Sequence, residues 1–169
     1  MFQKVKKGYV EQQIEQLTLF LINAFPTNIS EESVATKTEI AKASQTYCGM
    51  SIGIMSALPL ETVLGMFEMG GTFDAGRCYM SGMLLDEQAR ILESEGKSAG
   101  AQQTSIKSLF LLAITVVRED KLQKFLYTHR IDEIRTRLNG NELPPLVLKT
   151  ITDLDALHFG AGETSAESL

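Results

Sequence analysis

FDAGRCYMSGMLLDEQARILESEGKSAGAQQTSIKSLFLLAITVVR, residues 73–118, is the stretch whose reading decides the fold. In its first part Met80, Leu84 and Ile91 recur at helical intervals, with Tyr79, Met83 and Leu92 widening the apolar stripe. Asp74 stands where a carboxylate accepts a free backbone N–H at a helix start. Asp86, Glu87, Arg90 and Glu93 are expected to face water. Gly96 to Gln103, rich in Gly, Ala, Ser and Gln, is expected to be a loop. From Thr104 to Arg118 the chain becomes helical again. Ile106, Leu109, Phe110, Ala113, Val116 and Val117 form one face, and Leu111, Leu112 and Ile114 carry apolar character round the rest. A helix apolar on all sides lies in the middle of a molecule. Burying each such side chain contributes about 1.5–3 kcal/mol, so this helix is the expected core, folded back antiparallel on its predecessor.

Working outward toward the N-terminus, Val10, Ile14, Leu17, Leu21 and Phe25 predict a first helix over Gly8–Phe25, stopped by Pro26. Ser30 is a cap for a weaker helix over Glu31–Cys48, which Gly49 ends. Met50–Leu58 reads as a brief helical turn or buried connector. Pro59 opens a helix that Gly70-Gly71 closes. Toward the C-terminus, Leu122, Phe125, Leu126, Ile131, Ile134 and Leu138 predict a helix over Lys121–Leu138, with Arg130, Asp132, Glu133, Arg135 and Arg137 mostly outside. Asn139-Gly140 stops it, and Pro144-Pro145 opens a last helix to about Leu157. The expected fold class is all-α, built of antiparallel helix hairpins, with six to seven helices. Residues 1–159 are expected as one domain and 160–169 as a loosely ordered tail.

Composition narrows the function classes. The 169 residues suffice for one well-filled core, and 44% hydrophobic with 22% charged residues is an ordinary globular balance. A net charge of -5 argues against general nucleic-acid binding, which relies on Lys and Arg neutralising phosphates, and against anionic membranes. The most apolar run, Leu109–Val117, is far shorter than the roughly 18 residues a bilayer span needs. The opening MFQKVKKGYV is basic but turns polar at once, unlike a signal peptide. The expected location is the cytoplasm. Cys48 and Cys78 share no C-x-x-C and are expected as buried thiols.

No catalytic, cofactor or metal signature survives inspection. Gly96-Lys97-Ser98 lacks the earlier glycine of a phosphate loop, since Ile91 stands there, and a helix rather than a strand precedes it. His129 and His158 lie far apart, and neither has a partner histidine at helical spacing. Asp153 and Asp155 match a calcium loop at two positions only. Lys4, Lys6 and Lys7 read as a solvated cluster. Seven methionines, most of them in the middle third, suit core packing, and also suit an adaptable partner surface.

The central hairpin resembles a tetratricopeptide unit: two helices with large and small residues interleaved, the second ending in Leu112-Ala113-Ile114. No second copy follows at the period of about 34 residues found in true arrays. Over most of its length the chain also resembles an uncharacterised family of small helical bacterial proteins common in Firmicutes. The residues concerned are GYVEQQIEQL (8–17), LPLETVLGMFEMGGTFDAGRCYMSGMLLDEQARIL (58–92) and RIDEIRTRLNGNELPP (130–145). Such proteins end in a hairpin with Tyr-Glu, Gly and Ala-Glu-Asp elements. Here the segment DLDALHFGAGETSAESL lacks the Tyr-Glu pair and the final Asp. The resemblance implies a helical, tetratricopeptide-like fold and no activity.

The expected function is a non-enzymatic interaction or scaffold module with a protein or peptide partner, a possible homodimer, and no cofactor, nucleic acid or membrane. Arg77, Tyr79, Tyr127, Arg130 and Arg135 are the candidate partner-binding residues, because Tyr and Arg dominate binding hot spots. The alternative is a small-molecule binding protein or enzyme that holds an anion between helices with Arg130 or His129.

Overall fold

The computed structural model describes residues 8–9, 11–19, 33–119, 126 and 129–167. Among them are eight helices and no strand. α1 covers residues 11–19, α2 Ser33–Ala43, α3 Ile52–Ala57, α4 Leu60–Met66, α5 Ala75–Ser94, α6 Ser98–Arg118, α7 His129–Arg137 and α8 Pro145–Glu167. The all-α expectation therefore holds. The helix beyond the expected six or seven is α3, in the stretch read as a turn or connector. Ser51 caps it, its side chain accepting from the Gly53 N–H at 3.1 Å. At its other end Lys107 Nζ donates to the carbonyls of Met55, at 3.3 Å, and Ser56. Those carbonyls have no partner inside so short a helix.

α5 and α6 pack antiparallel along their length and form the centre of the molecule. α2 and α3 lie against α5, whereas α7 and α8 lie against α6. The core follows the sequence pattern: Leu109, Phe110, Leu111, Leu112 and Ala113 are all fully buried. The hairpin crosses most closely at Gly82. A Cβ there would stand 2.8 Å from Leu112 Cγ and Cδ2, and Ser108 Oγ donates to the Gly82 carbonyl at 2.6 Å. Glycine is present because the α6 side chains occupy the space a larger residue would need.

Three boundaries differ from expectation. The loop over Gly96–Gln103 shrinks to a tight turn, and α6 begins at Ser98. Gly96, at φ +78°, reverses the chain, and its N–H donates to the Glu93 carbonyl at 3.0 Å. Ala99, Ala101, Gln102 and Gln103 are good helix formers, and they outweigh Gly100. α2 does not simply end at Cys48. It passes at Ser44 into a π-helical turn, where Ser44 Oγ accepts from the Ile52 N–H at 3.1 Å, and Gly49 at φ +72° then stops it. α8 continues to Glu167, past the stop expected near Leu157. Other expectations are met directly. Asp74 Oδ1 accepts from the Arg77 N–H at 3.2 Å, and Pro145 opens α8. Parts of the first predicted helix, over residues 20–25, and of the one starting at Lys121, over 121–125, lie outside the described residues.

Cys48 and Cys78 are buried free thiols. Burial pushes Cys48 up to about 11 and Cys78 up to about 12 from an ordinary 9.0. No helix among the described residues is long and apolar enough to cross a membrane.

Candidate functional site

The main departure from the sequence reading lies on α5. Asp86 and Glu87, expected to face water, are buried with side chains 0% and 3% exposed. The stripe picture fails because α5 is enclosed on almost every side. Small residues, Ala75, Gly76, Ser81, Gly82 and Ala89, are interspersed round the helix among the large apolar ones, and all are buried. A buried carboxylate needs a partner, and α7 supplies it. Arg130 Nη1 donates to Asp86 Oδ2 at 2.6 Å and to Glu87 Oε1 at 2.9 Å. Arg137 Nη2 donates to Asp86 Oδ1. Arg90 Nε lies 3.8 Å from Asp86 Oδ2, and Arg90 Nη2 donates to Glu133 Oε2 at 3.3 Å. Glu133 in turn stands 3.5 Å from His129 Nε2. Three carboxylates and three guanidinium groups thus compensate one another between α5 and α7. Burial works against the charge on Arg130, but Asp86 and Glu87 more than offset it, and the net effect raises its pKa. Glu87 Oε2 is buried with no hydrogen-bond partner among the described residues.

Beside this cluster runs a groove of about 520 Å³ between α1, α5 and α7. Ile14, Thr18 and Leu19 of α1 form one wall, with Glu15 at its edge. Tyr79 and Met83 of α5 form the floor, and His129 and Arg130 of α7 the other wall. The volume falls within the range of ligand pockets, about 300–1,000 Å³. The lining is mostly carbon, and Leu19, 61% exposed, stands at the rim.

The five residues singled out from the sequence separate in space. Tyr79 and Arg130 line this groove together. Tyr79, however, is a core residue, 1% exposed, and its hydroxyl donates to the Leu126 carbonyl at 2.6 Å. Arg130 is a wall residue rooted in the buried cluster, not an outside residue. Arg77 belongs elsewhere: its guanidinium lies over the Gly49 turn, 3.4 Å from where a Cβ would be, with Asp74 at 3.6 Å. Arg135 joins α7 to α8, with Nη1 and Nη2 donating to the two Asp155 oxygens at 2.7 and 3.1 Å. Tyr127 lies outside the described residues. Sequence reasoning missed Asp86, Glu87 and Arg137. One signal was present: Arg130 and Arg137 are seven residues, two helical turns, apart and share a face.

Among the described residues no group of His, Cys, Asp and Glu could hold a metal ion. Comparison with known protein families, with curated proteins and with solved structures finds no match to this chain. The family resemblance read from the sequence accordingly identifies no family, and what stands is a small all-helical protein with an antiparallel α5–α6 pair.

Proposed function

We propose that the protein is a non-enzymatic interaction module whose docking surface is the groove between α1, α5 and α7. On this reading the α5–α6 pair serves as a tetratricopeptide-like scaffold, and the groove receives an apolar segment of a protein partner. The observation that carries the reading is the groove itself, with a carbon-rich lining and an exposed Leu19 at its rim. Apolar grooves of this kind accept the apolar face of a helix. Arg130 argues against the anion-binding alternative. Its charge is engaged by Asp86 and Glu87 rather than held ready for an anionic ligand.

The test compares the tagged protein with a Leu19→Glu variant in affinity purification from host cells. Leu19 is exposed, so the variant should fold normally, within about 0.5 kcal/mol of the parent. A partner recovered by the parent and lost by the variant supports the reading. No partner, or one retained equally by both, refutes it. Light scattering of the same pair tests whether the occupant is a second copy of the chain.

A further inference from the structure

We infer a second site, separate from the docking groove: a polar cavity that binds a small zwitterion of the α-amino acid class. It measures about 340 Å³ and lies where the C-terminal part of α5, the first turns of α6 and the end of α7 meet. One turn of helix with its side chains, about 10 Å across and 5.4 Å long, fills about 400 Å³. The cavity is therefore too small for a helical partner, and it sits at the lower end of the small-molecule range, about 300–1,000 Å³. The observation that points to a ligand is Ser105. It lines the cavity although it is only 6% exposed, and its hydroxyl makes no hydrogen bond with any described residue. Other buried helical hydroxyls are satisfied internally: Ser81, Thr115 and Thr150 each donate to the carbonyl four residues back. Buried polar groups are ordinarily paired, so the partner of Ser105 comes from the cavity.

The charged residues of the lining select the ligand. Glu93 of α5 and Arg137 of α7 line the same cavity, one of each sign. Glu93 makes no ion pair with a described residue. Arg137 is anchored through Nη2 to Asp86, a carboxylate that Arg130 and Arg90 also share. A simple anion gains Arg137 but meets Glu93, and a simple cation gains Glu93 but meets Arg137. A zwitterion offers each side chain the opposite charge, and charge-assisted pairs of this kind are the stronger hydrogen bonds. The amides of Gln102 and Asn141 add uncharged donors and acceptors. Ala89, Ala101 and Leu138 are buried and apolar, and suit a short aliphatic side chain.

Three probes test this: L-alanine, propionate, which lacks the ammonium, and ethylamine, which lacks the carboxylate. Binding is read from amide chemical shifts of the labelled full chain. L-alanine is expected to shift signals around Ala89, Ala101 and Ser105, to leave those around Leu19 and Met83 in place, and to bind at least about tenfold more tightly than either fragment. Glu93 is exposed, so Glu93→Gln should fold normally. It is expected to weaken L-alanine by about tenfold or more while leaving propionate equal or tighter. A merely structural role for Glu93 would move both ligands the same way. Ser105→Ala, which removes only the hydroxyl, is expected to weaken L-alanine by about threefold or more. No shift with L-alanine at millimolar concentration overturns the inference, as do shifts confined to Leu19 and Met83. Propionate or ethylamine binding as tightly as L-alanine overturns the zwitterion assignment, and so does unchanged L-alanine affinity in the Glu93→Gln protein. The docking reading is judged separately, because Leu19 lies in the other groove and its substitution leaves this cavity intact.

Discussion

Arg130→Met is the substitution that most directly probes the α5–α7 cluster. It removes the donor that holds Asp86 at 2.6 Å and Glu87 at 2.9 Å. Asp86 keeps Arg137, and Arg90 at 3.8 Å. Glu87 keeps nothing, because its second oxygen is already without a partner among the described residues. Breaking a buried ion pair from one side costs about 3–5 kcal/mol, since the remaining charge stays buried. Asp86's surviving partners place this case at the lower end, about 3 kcal/mol. For a chain of this size that corresponds to a fall in Tm of about 6–12 °C. Glu87→Gln alone is expected to cost about 1.5–3 kcal/mol, the worth of a charge-assisted hydrogen bond. The double variant should not cost the sum. Once Glu87 carries no charge, losing Arg130 leaves one fewer buried charge, and a coupling of about 1–2 kcal/mol should appear. Urea unfolding of the four proteins at pH 7 measures each term. An Arg130→Met protein within about 0.5 kcal/mol of the parent, or strictly additive costs, would refute the claim that these groups act as one buried unit.

Other consequences are open to simpler measurement. Gly82→Ala drives a methyl group against Leu112 and should destabilise by about 1–3 kcal/mol, despite the gain of up to about 1 kcal/mol in helix propensity; a more stable variant would contradict the close crossing. Tyr79→Phe removes the buried hydrogen bond to the Leu126 carbonyl and should cost about 0.5–1.5 kcal/mol in urea unfolding. Cys48 and Cys78 have folded pKa values raised above 9.0, so their contribution is fully present below pH 9 and is lost as pH rises toward 11 and 12. The unfolded state releases the protons first, and each thiol should therefore weaken the fold by up to about 1.4 kcal/mol per pH unit in that window. Cys48→Ala/Cys78→Ala should flatten the alkaline limb of a stability profile, and an unchanged slope would show that other groups dominate it.

The sequence made the hairpin legible because its signal is periodic and local. Ile106, Leu109, Phe110 and Ala113 have one consistent solution, a buried helix, and Asp74 marks where its neighbour starts. The turn was overestimated because Gly100 resembles a loop residue, although Gly96 alone supplies the positive φ that the reversal needs. The cluster beside the groove was hidden for a different reason. Patterning assigns charge to water, and the partners that make Asp86 and Glu87 tolerable inside lie more than forty residues further along the chain. Only packing shows that small residues such as Ser81 and Gly82 leave α5 no wet face. Tyr79, read from the sequence as part of the α5 apolar stripe and also as a partner-binding candidate, is buried as the stripe implies, and its hydroxyl donates to the Leu126 carbonyl.

The tight turn at Gly96 also has a consequence for how the chain finds its shape. α5 and α6 are neighbours both in sequence and in space, and their mutual contacts form the largest interface among the described residues. Closing so short a connection forfeits little chain entropy, since the loss grows with loop length. Topologies dominated by local pairings fold rapidly. These two features favour the hairpin as a folding nucleus, with α2 and α3 packed on α5 and with α7 and α8 packed on α6. Burial of Asp86 and Glu87 is tolerable only with their partners in place, so the same packing of α7 that removes them from water also brings Arg130 and Arg137.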